Sequence, residues 1–134
     1  MITAYIDGGS RGNPGPAGYG VRFVDEDGRV IDEFRESIGL ATNNVAEYQG
    51  LIAALRRAAA DGHRAIRIRS DSLLLVRQML GEYRVRNGGL QPLHRQARGL
   101  AGAFDRVEYE HVPREENAEA DRLANEAMDE AASG

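Results

Sequence analysis

The sequence predicts an α/β fold in which a mixed sheet carries packed helices. Three observations point there. Three strand-like runs come first; strands then alternate with helical patterns; and Asp27-Gly28 stands between the second and third runs as a hairpin signal. The order reads βββαβα(α)βα. Consecutive strands joined by tight turns pair antiparallel, whereas strands separated by helices return parallel, so the sheet is mixed.

Each element has its own signal. "MITAYID" alternates and then meets "GGSRGNPGPAG", a dense turn cluster, so the first strand is expected to end at Asp7. "YGVRFVDEDGRVIDEFRESIG" supplies the next two strands. Thr42 or Asn43 caps a helix running to about Asp61, with Gly62 as its stop. "RAIRIRS" is a short strand with Ile66 and Ile68 on one face. "SLLLVRQML" is a helix started by Asp71 and ended by Gly81. "EYRVRNGG" reads as a loop, and "LQPLHRQARGLAGAF" as a helix weakened by its glycines. "RVEYEHV" alternates as a strand. "NAEADRLANEAMDEAA" is a last amphipathic helix with Ala120, Leu123, Ala124, Ala127 and Met128 on one side.

With 134 residues the chain suits one domain, residues 1–134, and 42% hydrophobic residues give it a core. It has no cysteine, which excludes disulfides and thiolate zinc sites. It shows no signal peptide and no apolar run long enough to span a membrane, so a soluble cytoplasmic protein is expected. The net charge of −4 alone argues against a nucleic-acid partner, but its distribution says more. Arg77, Arg84, Arg86, Arg95 and Arg98 stand in the middle against Glu82 alone, and the end of the chain is acidic. All 17 basic residues are arginine, a bias that a GC-rich genome explains more simply than phosphate binding does.

Four carboxylates sit at the ends of elements. Asp7 closes the first strand, Asp71 the fourth, and Glu47 and Asp121 lie in the first turns of the first and last helices. Each has a bland explanation: a turn residue for Asp7, an N-cap for Asp71, a solvated position for Asp121. Glu47 resists one, because steps of three and four lead from it to Leu51, Leu55 and Ala58, and a carboxylate on that stripe needs an arginine or a cation. Gathered at one sheet edge, the four would repel and raise one another's pKa values. Two divalent cations would relieve that repulsion, and an all-oxygen site suits Mg²⁺ or Mn²⁺. Such a pair can clamp the attacking and leaving oxygens of a phosphodiester.

Four segments, "YIDGGSRGNPGPAGYG", "TNNVAEYQGL", "IRSDSLLLVRQM" and "ENAEADRLAN", occur in order and in compatible elements. Together they resemble the ribonuclease H type 1 family over essentially the whole chain. "VPREEN" and the short "GEYRVRNGGLQPL" resemble its compact archaeal-like and bacterial members. The resemblance implies a five-stranded mixed sheet, its first three strands antiparallel, with helices on both faces. It also implies cleavage of the RNA strand of RNA–DNA hybrids by a two-metal-ion mechanism, leaving 5′-phosphate and 3′-hydroxyl ends. The catalytic and metal-binding set maps onto Asp7, Glu47, Asp71 and Asp121.

An RNA–DNA hybrid is recognised by shape and by 2′-hydroxyls. Gly8, Gly9 and Ser10 are expected to line the RNA strand, since glycines permit close backbone approach. By resemblance Asn13, Asn43 and Asn44 contact the hybrid, with Thr42 near a DNA phosphate. Three departures from the family bear on function. The basic helical protrusion is reduced to a stretch with Arg84 and Arg86. The loop histidine of many members is replaced by "VPREEN", where Arg114 could steady a phosphate; His111 is expected to be structural. No hybrid-binding domain precedes Met1, which predicts low processivity. A monomer is the default. The competing readings are a binding module without catalysis, another nuclease or strand-transfer enzyme of the same superfold, and a metal-dependent phosphatase.

Overall fold

Alternation along the strands decides which helix each face of the sheet receives. The computed structural model describes Met1–Ser133. Its strands are β1 (Ile2–Ser10), β2 (Gly15–Val24), β3 (Val30–Ala41), β4 (Ala65–Ser70) and β5 (Arg106–His111), in the spatial order β3-β2-β1-β4-β5. β1, β2 and β3 pair antiparallel; β4 pairs parallel with β1 and with β5. The helices are α1 (Asn43–Ala60), α2 (Leu73–Met79), α3 (Gln91–Ala101) and α4 (Ala118–Ser133), and a single 3₁₀ turn, Arg114–Glu116, leads into α4. This is the mixed α/β sheet that the sequence predicts.

Ile2, Ala4 and Ile6 point to one face of β1 and join Val21, Phe23, Ile66 and Ile68 in the main core. The apolar stripe of α1, with Tyr48, Leu51, Ile52, Leu55 and Ala58, closes on them, and α3 packs against α1. On the opposite face α4 lies over β1, β2 and β3. Gly8 and Gly9 show the division directly. A Cβ on Gly8 would meet the α1 backbone, and one on its neighbour Gly9 would meet Met128 of α4.

Two expectations are corrected. The first strand does not end at Asp7: Gly8, Gly9 and Ser10 continue it, paired with Tyr19, Gly18 and Ala17. The glycines that read as a turn are strand residues whose missing side chains admit helices. Nor does Asp71 cap α2. Ser72 does, its Oγ accepting from the N–H of Leu75 at 3.3 Å, which leaves the Asp71 carboxylate free of that duty. Thr42 caps α1 as expected, accepting from Val45 at 3.2 Å. The Asp27-Gly28 turn forms around Asp25, whose Oδ1 accepts from the N–H groups of Asp27 and Arg29, and Gly28 takes φ +81°.

Candidate active site

The site begins where two parallel strands part. The last pair between β1 and β4 is Ile6↔Ser70, and the next residue on each strand is an aspartate. Asp7 and Asp71 therefore stand side by side at the sheet edge, close enough that the charge of Asp71 acts on Asp7.

Glu47 arrives from one face. A Cβ on Gly8 would stand 2.5 Å from the carbonyl carbon of Ala46 and 2.6 Å from the N of Glu47. Only glycine lets the first turn of α1 come this close to β1. The rest of the Glu47 stripe packs as its spacing demands, with Leu51, Leu55 and Ala58 fully buried. What meets Glu47 is the hydroxyl of Ser72 and the charge of Asp71. Asp121 arrives from the other face by the same device. A Cβ on Gly20, the residue opposite Asp7, would lie 2.4 Å from Cβ of Leu123. One on Gly18 would lie 2.5 Å from Cβ of Ala127. Strand glycines and helix alanines bring α4 down onto β2, with Asp121 in its first turn.

The four carboxylates share a cleft of about 480 Å³ with Gly8, Gly9, Ser10, Arg11, Asn43, Asn44, Arg114, Asn125 and Met128. Among the described residues no arginine forms an ion pair with any of the four. Burial, the charge of Asp71, a side-chain hydrogen bond with Asp121 and the charges of Asp121 and Glu47 push the Asp7 carboxyl up to about 8. Burial pushes Glu47 up to about 7; the Ser72 hydrogen bond opposes this and Asp71 adds to it. The repulsion expected from the sequence is present, and protons partly relieve it.

The donor set is oxygen-only and rich in negative charge, which suits a hard divalent cation. Among the described residues no three acidic, histidine or cysteine side chains close on one point to hold an ion unaided. Such a set fits Mg²⁺, which keeps several waters and binds through one or two carboxylates plus substrate phosphates.

The other expected residues divide. Ser10, Asn43, Asn44 and Arg114 line the cleft. Asn43 is also bound inside the protein, its Oδ1 accepting from Ser10 N–H at 2.8 Å and Ser10 Oγ at 3.1 Å. Asn13 stands outside the lining, its Oδ1 accepting from the N–H of Asn43 at 3.0 Å, so it caps α1 from the neighbouring loop. Thr42 likewise serves the helix start. Arg84 and Arg86 belong to residues 80–90, which hold no helix, and lie away from the carboxylates. Arg84 lines a cleft between α2 and α3 with Tyr83, Arg95 and Arg98. His111 ends β5 and is exposed.

Sequence reasoning missed Arg11, Ser72, Gly18, Gly20 and Asn117. Arg11 reaches the cleft and donates to Asp129 Oδ1 at 2.8 Å. Gly18 and Gly20 had a legible signal, glycines two apart on one strand face matched by the alanine stripe of the last helix. Arg11, Ser72 and Asn117 depend on interactions between distant segments.

A family model described as reverse transcriptase-like matches residues 5–127. The bifunctional protein Rv2228c of Mycobacterium tuberculosis is 53% identical over 132 residues, covering 98% of this chain and 36% of the relative. Ribonuclease HI of Halobacterium salinarum is 47% identical over 130 residues, covering 97% of this chain and 65% of the relative. The chain thus spans about a third and about two thirds of these curated relatives. Among solved structures, LC11-RNase H1 in complex with an RNA/DNA hybrid superposes with a TM-score of 0.93 at 43% identity, covering 98% of this chain and 99% of that one.

Proposed function

The chain belongs to the type 1 ribonuclease H family, and on that premise we propose that it hydrolyses the RNA strand of RNA–DNA hybrids, leaving 5′-phosphate and 3′-hydroxyl ends. The observation that carries this reading is the set of four carboxylates meeting in one cleft, none of them ion-paired among the described residues, in a chain with 17 basic residues. A protein that used these acids only for structure would pair them, as it pairs Asp32, Asp105 and Glu108.

Asp7, Glu47, Asp71 and Asp121 would hold two Mg²⁺ or Mn²⁺ ions together with the scissile phosphate. Bound there, the ions supply water activation and stabilisation of the leaving 3′ oxygen. The residues do the rest. The proton that burial and its acidic neighbours favour on Asp7 would be given up if cations were held there. Ser72 fixes the Glu47 carboxylate, which faces the ribose 2′-hydroxyl. Among the described residues Arg114 and Arg11, the latter held by Asp129, are the arginines that line the cleft, and they would engage phosphates of the RNA strand. Asn43 and Asn44 contact the hybrid at the start of α1. Gly8 and Gly9 act by admitting α1 and α4. Arg84 and Arg86, with Arg95 and Arg98, offer a basic surface to the DNA strand in place of a helical protrusion. A single domain acting as a cytoplasmic monomer is the simplest form of this reading; among the described residues no helix is long and apolar enough to cross a membrane.

The test is cleavage of an end-labelled RNA annealed to DNA, with Mg²⁺, Mn²⁺ or EDTA. The same RNA alone and annealed to RNA run alongside. Metal-dependent cutting confined to the hybrid, with 5′-phosphate products, is expected. Hybrid binding without cutting in either metal would move the assignment to a binding module.

A further inference from the structure

Asn117 is 1% exposed, and the hydrolytic mechanism leaves it without a task. Its side chain makes one long-range hydrogen bond and its backbone two local ones, all to residues in or beside the site. Its Nδ2 donates to the carbonyl of Ile6, the residue before Asp7, at 2.8 Å. Its carbonyl accepts from the N–H of Asp121 at 3.0 Å, and its N–H donates to the carbonyl of Arg114 at 2.9 Å. Ile6 is also the last β1 residue paired with β4. The amide therefore reaches the point where the strands part and where Asp7 and Asp71 stand.

The geometry points to Asn117 as a positioning residue that sets the spacing of Asp7 and Asp121. This rests on the hydrolase reading. The packing of α4 explains the need. Gly18 and Gly20 against Ala120, Leu123, Ala124 and Ala127 make a close, smooth interface. Such an interface fixes the height of α4 above the sheet and resists sliding along the helix axis poorly. Asn117 pins the helix at its start, one turn before Asp121, to the strand residue beside Asp7. The other half of its amide is telling: Oδ1 is buried and without a hydrogen-bond partner. An orphaned buried oxygen is costly, and a residue kept only for stability would avoid it. The amide is retained for where it places Nδ2.

The experiment compares wild type with Asn117→Ala, Asn117→Asp and Ile52→Val. Asn117→Asp keeps the shape and, assayed at a pH high enough to ionise it, cannot donate to Ile6. Ile52→Val loosens the core away from the site and controls for lost stability alone. Hybrid cleavage is measured well below every melting temperature, and the rise in melting temperature on adding Mn²⁺ is measured without substrate. A misplacement of this kind lowers kcat by roughly 10²-fold. KM for the hybrid should stay within about threefold, because the binding surface is untouched. The Mn²⁺ shift should shrink in both Asn117 variants and persist in Ile52→Val, which should cleave normally. Asn117 variants with the wild-type kcat and the wild-type Mn²⁺ shift would overturn the proposal. A wild type that cuts no hybrid would overturn the hydrolase reading; the Mn²⁺ shift, which needs no turnover, would still judge Asn117.

Discussion

Burial and acidic neighbours favour the protonated form of Asp7, in a cleft proposed to bind metal. Its carboxyl titrates at about 8 in the folded protein against an ordinary value of 3.8, and Glu47 at about 7 against 4.5. Between those limits the folded state binds more protons than the unfolded chain, so stability falls as pH rises. The penalty is absent below about pH 4, grows through neutrality and is complete above about pH 8. In EDTA the melting temperature should therefore be lower at pH 8.5 than at pH 6, measured by differential scanning fluorimetry. Asp7→Asn should flatten that dependence, and saturating Mg²⁺ or Mn²⁺ should reduce it, since a ligand of the native state stabilises by mass action. An Asp7→Asn protein with the wild-type pH slope would contradict this account. The same residues show what the sequence discloses. Glu47 is conspicuous in the sequence because its helix stripe is apolar, whereas Asp71 and its neighbour Ser72 are equally good cap residues, so the sequence alone does not choose between them. The folded chain selects Ser72, whose Oγ accepts from the N–H of Leu75.

At the scale of elements, the site is assembled by glycines that give up side chains to helices. Gly20→Ala should destabilise by roughly 1–3 kcal/mol, the range for overpacking a tight interior. It should also lower activity, because a Cβ there meets Leu123, Ala120 and Ala124 and lifts α4 with Asp121. Gly28→Ala is the contrast. Nothing lies within 4 Å of its Cβ, but its φ of +81° strains an L-residue. It should cost about 1 kcal/mol and leave cleavage unchanged. Denaturant melts and hybrid cleavage on the two variants check both. Element types and order were legible because periodicity of two and of 3.6 is written locally. The end of β1 was not, because Gly8 and Gly9 mean turn or close approach with equal ease. Only the position of α1 and α4 decides between them.

For the whole molecule, a net charge of −4 must be reconciled with the polyanionic substrate proposed for it. The arginines are not evenly used. Arg22, Arg35 and Arg122 are bound into ion pairs joining α4 to the sheet, Arg67 and Arg69 pair across β4 and β5, and Arg64 pairs with Asp105 just before those strands begin. Arg84, Arg86, Arg95 and Arg98 form no such pairs among the described residues, as the proposed phosphate contacts require. Replacing Arg84 and Arg86 with alanine should weaken hybrid binding at low salt. It should also make the log–log salt dependence shallower by about 0.7–0.9 for each phosphate that is no longer neutralised. An unchanged slope in fluorescence anisotropy titrations would remove that surface from the account. The basic middle of the chain was visible in the sequence; which arginines are spent on folding was not, since their acidic partners come from other strands and helices.

The central claim is that four carboxylates from four segments act as one centre. It is tested most directly by single-turnover cleavage of a labelled hybrid by wild type and by Asp7→Asn, Glu47→Gln, Asp71→Asn and Asp121→Asn, with hybrid affinity measured in Ca²⁺. The account predicts that each variant binds the hybrid within about threefold of wild type. Each should lose cleavage by roughly 10²–10⁴-fold, several kcal/mol of transition-state stabilisation. Wild-type cleavage by any one of the four variants would show that its carboxylate is a bystander in the cleft and contradict the claim.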